Sequence, residues 1–255
     1  MSVAVPVSEV EDVARRAESW TPQEILDWAL NRFQDRISFA SSFGVEDVAV
    51  IHMLSQLDKN ARVFTLDTGR LPEETHALID RARDRYGIAI DVQFPDATRV
   101  ASFVRTNGVN AFYDSVELRQ GCCAIRKTEP LRRALAGKGA WITGLRRDQA
   151  VTRSALAHEE FDTIHGIPKF NPLADWSEDE VWSYIRARNV PYNTLHDRGY
   201  RSIGCAPCTR AVEPGESVRA GRWWWENPES KECGLHRRPV TFVRRATEDS
   251  ELTPS

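Results

Sequence analysis

Five cysteines are the residues of this chain whose type and spacing indicate chemistry. Cys122 and Cys123 are adjacent, and CAPC at 205–208 has the spacing by which one loop presents two thiolates to a metal. Adjacent side chains diverge on a helix or a strand, so the first pair suits one tetrahedral ion poorly. An iron–sulfur cluster offers separate iron atoms, and these four cysteines therefore favour a cluster. A structural zinc site is the alternative.

The fifth cysteine, Cys233, stands apart from the others in the polar stretch KECGLH at 231–236. His236 would lower the pKa of this thiol, whereas Glu232 would raise it. The local sequence therefore leaves two interpretations open, a reactive nucleophile and an incidental surface cysteine.

Basic residues are concentrated in one segment of the chain. The net charge of −3 gives no reason to expect nucleic-acid binding. Residues 119–153 nevertheless hold nine Lys and Arg against two acidic residues, whereas residues 154–197 hold three against eight. A local positive excess attracts small polyanions. A solvated basic helix face is the alternative.

Alternating hydrophobic patterns define the elements that must position these residues. Strands are predicted at 36–41, 61–67, 88–94 and 140–145, and helices at 8–34, 46–57, 72–86, 97–105 and from Ser177 onwards. This alternation predicts an α/β fold with a mainly parallel sheet flanked by helices. Ligands of such sheets lie at the carboxyl ends of the strands.

Two neighbouring predicted strands end in small polar residues. The first ends in Ser41-Ser42-Phe43-Gly44, where backbone N–H groups could approach an anion at a helix N-terminus. The second ends in LDTGR at 66–70. Either one alone is equally well a plain turn, but together at one sheet edge they favour a nucleotide cleft. The first loop lacks the Gly-Lys-Ser/Thr of a Walker A motif.

Composition places the chain among soluble globular proteins, with 41% hydrophobic and 28% charged residues in 255. The N-terminus has no signal-peptide pattern, and no segment approaches the roughly 18 apolar residues that span a bilayer. A cytoplasmic location without a membrane partner is expected, where cysteines are reduced, metal-bound or catalytic. The sequence leaves the oligomeric state open, a homo-oligomer included.

Six motifs in order resemble those of assimilatory adenylyl-sulfate (APS) reductases of bacterial type. They are CCAIRK, TGLRRDQAVTR, NPLADWS, GYRSIGCAPCT, GRWWWE and KECGLH, and the likeness runs from about residue 36 to 238. The related 3′-phospho-APS reductases share TGLRR and ECGLH but generally lack both cysteine pairs. The resemblance is therefore to the cluster-bearing branch.

This resemblance implies an adenine-nucleotide α-hydrolase-like fold and a [4Fe–4S] cluster held by Cys122, Cys123, Cys205 and Cys208. It implies that the Cys233 thiolate attacks the sulfur of APS, expels AMP and becomes a Cys–S–sulfonate. Thioredoxin then attacks this intermediate and releases sulfite. Cys233 must be reachable by substrate and by a protein reductant, and a mobile tail meets both demands.

The resemblance also implies the substrate contacts. The phosphosulfate contacts are expected to be Lys127, Arg153, Arg219, Arg222 and His236, followed by Arg126 and Arg146. The nucleotide cradle is expected to be Ser41, Ser42, Gly44, Leu66, Asp67, Thr68 and Gly69. The tryptophans at 223–225 are expected to anchor the tail onto the domain rather than to stack on adenine.

Four segments are predicted: an N-terminal helical segment (1–35), an α/β nucleotide- and cluster-binding domain (36–210), a mobile catalytic tail (211–238) and a disordered end (239–255). Within enzymes, the alternative function is reduction of 3′-phospho-APS, alone or beside APS. From another class, the alternative is a zinc-stapled nucleotide-binding module without turnover. The loop SSFGVED also departs from the Ser-Gly-Gly-x-Asp-Ser loop of ATP-cleaving relatives, which argues against ATP hydrolysis.

Overall fold

A six-stranded sheet forms the centre of the computed structural model, which describes residues 17–150 and 153–227. The strands are β1 (Ile37–Ser41), β2 (Val63–Leu66), β3 (Ile90–Gln93), β4 (Ala140–Ile142), β5 (Glu159–Asp162) and β6 (Ile167–Phe170). They lie in the order β3-β2-β1-β4-β6-β5. All neighbours are parallel except β5 and β6, which form an antiparallel hairpin. The predicted α/β fold with a mainly parallel sheet is confirmed.

Seven α-helices flank this sheet in the described part of the chain. They are α1 (Pro22–Phe33), α2 (Val45–Leu57), α3 (Glu73–Tyr86), α4 (Ala97–Asn107), α5 (Val116–Cys123), α6 (Glu129–Leu135) and α7 (Glu178–Ala187). The capping boxes at Thr21 and Ser177 both form, so the hydroxyls and the glutamates three residues later satisfy the first N–H groups. None of these helices has the length and apolar character that crossing a membrane requires.

The main hydrophobic core packs α1, α2, α3 and α7 against the sheet. Helix α2 is buried along most of its length, from Val45 to Ser55, while Phe39 of β1 is fully buried beside it. Because interiors are close-packed, this burial fixes the N-terminus of α2 at the carboxyl edge of the sheet. That edge carries the candidate site.

The structure differs from the sequence prediction in three places. The helix predicted over 8–34 is interrupted by a turn before Thr21, and residues 8–16 lie outside the described residues. The β5–β6 hairpin was not predicted, because EEFD carries a single apolar residue, and Phe161 is exposed. Helices α5 and α6, joined by a π-helical segment at 124–128, were also missed. Helix α5 buries only Arg119 and Cys123, so it has no apolar stripe to detect.

Candidate functional site

A cavity of about 210 Å³ opens at the carboxyl ends of β1, β2 and β4, and we call it the sheet-edge cavity. From the predicted nucleotide cradle, its lining includes Ser41, Ser42, Gly44, Leu66 and Thr68. Asp67 and Gly69 do not line it. Instead, Asp67 accepts a hydrogen bond from the Gly69 N–H (2.7 Å) and contacts His76 (3.0 Å). The cavity therefore occupies the cleft that the strand ends predicted. Thr143 and Gly144, which follow β4, also line it and were not predicted from the sequence.

Asp47, which sequence reasoning missed, holds the loop between β1 and α2. Its Oδ2 accepts hydrogen bonds from the backbone N–H (2.6 Å) and the hydroxyl (2.7 Å) of Ser42. Burial raises the pKa of Asp47 to about 6, although the hydrogen bonds from Ser42 act in the opposite direction. A Cβ at Gly144 would lie 2.1 Å from Asp47 Oδ1, so only glycine lets the two loops approach this closely.

Four of the predicted phosphosulfate contacts line the sheet-edge cavity: Lys127, Arg153, Arg219 and Arg222. Arg222 is only 7% exposed, and its Nη1 donates weakly to Ser202 Oγ (3.4 Å) and the Ile203 carbonyl (3.3 Å). Within residues 17–150 and 153–227, no carboxylate pairs with Arg222, and its buried Nε has no partner. A buried cation without a counter-charge is costly, which makes this wall of the cavity an anion site.

Arg126 and Arg146 do not line this cavity, unlike the other predicted phosphosulfate arginines. The Arg146 guanidinium is buried and binds Glu46 Oε1 through Nε (2.9 Å) and Nη2 (2.8 Å), with Nη1 on the Trp176 carbonyl (3.1 Å). Arg126 donates from Nη1 to the Thr68 carbonyl (2.6 Å). Both arginines therefore bind protein groups behind the cavity wall.

The structure brings together Cys122, Cys123, Cys205 and Cys208, which we call the four-cysteine site. The first pair ends α5, and the second lies on a short turn fixed by hydrogen bonds from Cys208 N to Cys205 O (2.9 Å) and from Ala206 N to Arg70 O (2.8 Å). Phe112 and Trp223 pack around these sulfurs. Two segments that are distant in the sequence thus deliver four thiols to one place.

Cationic and polar groups surround the four-cysteine site, and its lining includes Arg70, Arg119, Arg126 and Lys127. Thr68 Oγ1 lies 3.2 Å from Cys205 Sγ. Burial raises the pKa of the Cys122 thiol, which Arg126 opposes, and raises that of Cys208 to about 12. Without a metal, these two thiols are protonated at neutral pH.

In the described residues, no three His, Cys, Asp or Glu side chains form a group that would hold a single metal ion. Four thiols with cations beside them suit the donor set of a multi-iron cluster, whose irons are ligated separately.

Trp223 connects the four-cysteine site to the sheet-edge cavity. Its ring lies between the guanidinium carbons of Arg119 and Arg222, each 4.8 Å from the ring centroid. Arg119 also forms a buried ion pair with Glu226 through two hydrogen bonds (2.8 and 2.7 Å). The backbone N–H of Trp223 donates to the Cys208 carbonyl (3.1 Å). The segment 222–226 is thus anchored on the domain, as expected for the tryptophans, while Cys233 and His236 lie outside the described residues.

Comparison with known proteins gives concordant matches. Residues 36–211 match the model of the phosphoadenosine phosphosulfate reductase domain. Adenosine 5′-phosphosulfate reductase of Allochromatium vinosum is 57% identical over 204 residues, which cover 80% of each chain. The enzyme of the same name from Burkholderia cepacia is 49% identical over 243 residues, covering 95% of this chain and 96% of that protein. The crystal structure of phosphoadenylyl-sulfate reductase from Candida auris in complex with phosphate superimposes with a TM-score of 0.71 at 27% identity, covering 83% of this chain and all of that one.

Proposed function

The chain belongs to the phosphoadenosine phosphosulfate reductase family and, within it, to the adenosine 5′-phosphosulfate reductases, and on this basis we propose that it reduces APS to sulfite and AMP in sulfate assimilation. Such an enzyme is an oxidoreductase acting on a sulfur group. The observation that carries the proposal is Arg222, a buried arginine in the wall of the sheet-edge cavity that pairs with no carboxylate of residues 17–150 and 153–227.

The sheet-edge cavity suits the two ends of APS differently. Strand ends and small side chains around Ser41 and Leu66 provide a surface for the nucleoside. The adjoining phosphate and sulfate face the cations Lys127, Arg153, Arg219 and Arg222, with the N-terminus of α2 adding a favourable dipole. Negative charge grows on the phosphate as the S–O bond breaks. Each charge-assisted hydrogen bond to it is worth roughly 1.5–3 kcal/mol.

The reaction needs a nucleophile, and Cys233 is the cysteine that the four-cysteine site leaves over. Its thiolate attacks the sulfur of APS, so an S–S bond forms to the sulfonate while the S–O bond breaks and AMP leaves with the electron pair. A thiolate of thioredoxin then attacks Cys233 Sγ and displaces sulfite. The second thioredoxin thiol resolves the mixed disulfide, so the two electrons come from the thioredoxin dithiol. A cytoplasmic location, where thiols remain reduced, fits this chemistry.

The four-cysteine site is proposed to hold a [4Fe–4S] cluster through Cys122, Cys123, Cys205 and Cys208. The buried thiols and the surrounding Arg70, Arg119, Arg126 and Lys127 support this proposal, because the cations offset the negative charge of a thiolate-ligated cluster. When bound, the cluster would supply cross-links between α5 and the 205–208 turn and a fixed charge beside Lys127. Lys127 lines both cavities, so it can balance that charge and contact the substrate anion.

Sulfite release tests the proposed function. Anaerobically purified protein is given reduced thioredoxin and either APS or 3′-phospho-APS at equal concentration, and sulfite is measured. We expect a clear preference for APS, since the cavity that adjoins the sheet-edge cavity balances Arg186 and Arg201 against Glu178 and Asp197 and so has no basic excess for a 3′-phosphate. Equal or faster turnover of the 3′-phosphorylated nucleotide would overturn the choice of substrate. No sulfite from either nucleotide would overturn the enzymatic function.

A further inference from the structure

His196 lines the sheet-edge cavity and carries a buried polar atom that has no partner among the described residues. This residue lies in the 3₁₀ turn Thr194–Arg198, and its imidazole lines both the sheet-edge cavity and a neighbouring cavity of about 270 Å³. Its Nε2 is buried and finds no hydrogen-bond partner among the described residues. Because an unpaired buried polar atom costs free energy, this nitrogen indicates a partner other than the described residues, and a bound ligand is one such partner.

The position of the imidazole is fixed from two sides. Asn193 caps the turn by accepting from the Leu195 N–H (3.0 Å), and its amide donates to Thr75 Oγ1 (3.0 Å), which itself lines the sheet-edge cavity. The ring of Trp182 packs edge-on against the imidazole, with centroids 5.3 Å apart. The turn and the ring are therefore held against the cavity rather than free to swing away.

The bonding of the other ring nitrogen makes Nε2 an acceptor. The imidazole has a hydrogen bond with the backbone of Tyr200, and the Tyr200 N–H already donates to the Leu195 carbonyl (3.1 Å). Because this bond raises the pKa of His196, the ring is its donor, and since Nε2 has no partner among the described residues the donor is Nδ1–H, which leaves the lone pair on Nε2. Burial lowers the pKa of His196 and outweighs Glu46, Asp197 and Glu178, whose charges raise it. At neutral pH the ring is thus uncharged.

We propose that His196 Nε2 accepts a hydrogen bond from an O–H or N–H donor on the nucleoside of the substrate and thereby helps to select that nucleoside. This inference rests on the proposed function, which supplies the nucleotide. The phosphosulfate cannot be the partner, because its ionised oxygens are acceptors and would face a lone pair. Adenosine offers three donors of the required kind: the 2′-hydroxyl, the 3′-hydroxyl and the 6-amino group.

The test measures binding of AMP and three analogues to the holoenzyme by titration calorimetry. The analogues are 2′-deoxy-AMP, 3′-deoxy-AMP and purine riboside 5′-monophosphate, which lacks only the 6-amino group. His196→Phe keeps a ring against Trp182 but has no acceptor, whereas His196→Gln restores an acceptor oxygen. We expect His196→Phe to weaken AMP binding by about 3- to 10-fold, the usual effect of one hydrogen bond. For one analogue this loss should vanish, which identifies the donor, and His196→Gln should recover part of the AMP affinity.

Two outcomes would overturn the inference. An equal loss for AMP and all three analogues would mean that the ring only supports packing, and unchanged binding in His196→Phe would mean that it contacts nothing in the nucleotide. Should His196→Phe not yield folded protein, His196→Leu, which is apolar and likewise has no acceptor, is compared with the wild type on the same four ligands by the same criterion. Failure of the wild type to bind AMP at all would instead contradict the proposed function.

Discussion

The sheet-edge cavity and the four-cysteine site differ in what holds them together. The cavity is built on strand ends and on the N-terminus of α2, with the main hydrophobic core directly behind them. The four-cysteine site has its own small hydrophobic cluster in the described part of the chain, to which Phe112 and Trp223 contribute large, fully buried side chains. The polypeptide alone can therefore form the first region, whereas the second depends on the group that its thiols are proposed to bind.

The two regions also use their cations differently. In the sheet-edge cavity, Arg222 has no carboxylate partner among the described residues, so its charge is available to a substrate anion. Around the four-cysteine site, Arg119 and Arg126 interact with Cys123 and Cys122. These two cations are shared between sulfur and protein acceptors, Glu226 for Arg119 and the Thr68 carbonyl for Arg126, so removal of the proposed cluster should disturb this region far more than the cavity.

Replacing one of the four proposed cluster cysteines should give the largest difference in effect between the two regions. Cys208→Ser should lose iron, acid-labile sulfide and most of the activity, because an open coordination site invites oxidation and loosens the two segments that the cluster joins. Wild-type protein prepared without oxygen should contain about four irons per chain. The main core should remain folded, which far-UV circular dichroism would check. Stoichiometric zinc without sulfide in the wild type would contradict the cluster assignment.

Cys233→Ser is the matched variant, since it should abolish turnover while leaving both regions intact. A hydroxyl near neutral pH is a far weaker nucleophile than a thiolate, so no sulfonate should form. Intact-protein mass spectrometry checks this result. With APS and without thioredoxin, the wild type should gain one SO₃ group on the peptide 232–237, and reduced thioredoxin should remove it with release of sulfite. A label on Cys205 or Cys208, or normal turnover of Cys233→Ser, would show that the mechanism is wrong.

The same contrast explains what the sequence could reveal. Buried parallel strands are nearly continuous apolar runs, so β1, β2 and β4 were predictable. The edge strand β3 is half-exposed, and the alternation of IDVQ indicated it instead. The cavity at the strand ends followed from fold geometry. What the sequence could not predict is which of the arginines form ion pairs within the protein. Nothing in the local sequence distinguishes Arg146, which pairs with Glu46 one hundred residues away, from Arg222, for which the described part of the chain supplies no carboxylate. Asp47 was missed for a similar reason, since its role depends on Ser42 and on the close approach of Gly144.

Substitution of these two arginines tests whether Arg222 serves substrate binding and whether the ion pair of Arg146 with Glu46 serves stability. Arg222→Met keeps the aliphatic stem against Trp223 and should lower kcat/KM for APS by about 10- to 100-fold, the effect of one charge-assisted hydrogen bond. Its melting temperature should change little. Arg146→Met leaves Glu46 without its cation and should lower the free energy of unfolding by roughly 2–4 kcal/mol. Kinetics and thermal denaturation of both variants provide the measurement, and a stability loss confined to Arg222→Met would reverse the assignment.

The last effect expected is the pH dependence that Asp47 adds to stability. Its pKa is raised to about 6 in the folded protein, so the protonated carboxyl is favoured by folding and stabilises the folded state at low pH. This contribution is lost as the pH rises from the unfolded pKa, near 4, through about 6.

The variant Asp47→Asn has no carboxyl group to titrate at this position. Between pH 4 and pH 7 the free energy of unfolding of the wild type should therefore fall by about 2–3 kcal/mol relative to that of Asp47→Asn. Above pH 7 the difference between the two proteins should stay constant. Denaturant titrations of both proteins across this range check it, with Asp58→Asn, on an exposed turn, as the control. A difference that is flat throughout would mean that water reaches Asp47 and that the loop between β1 and α2 is held less tightly than its hydrogen bonds indicate.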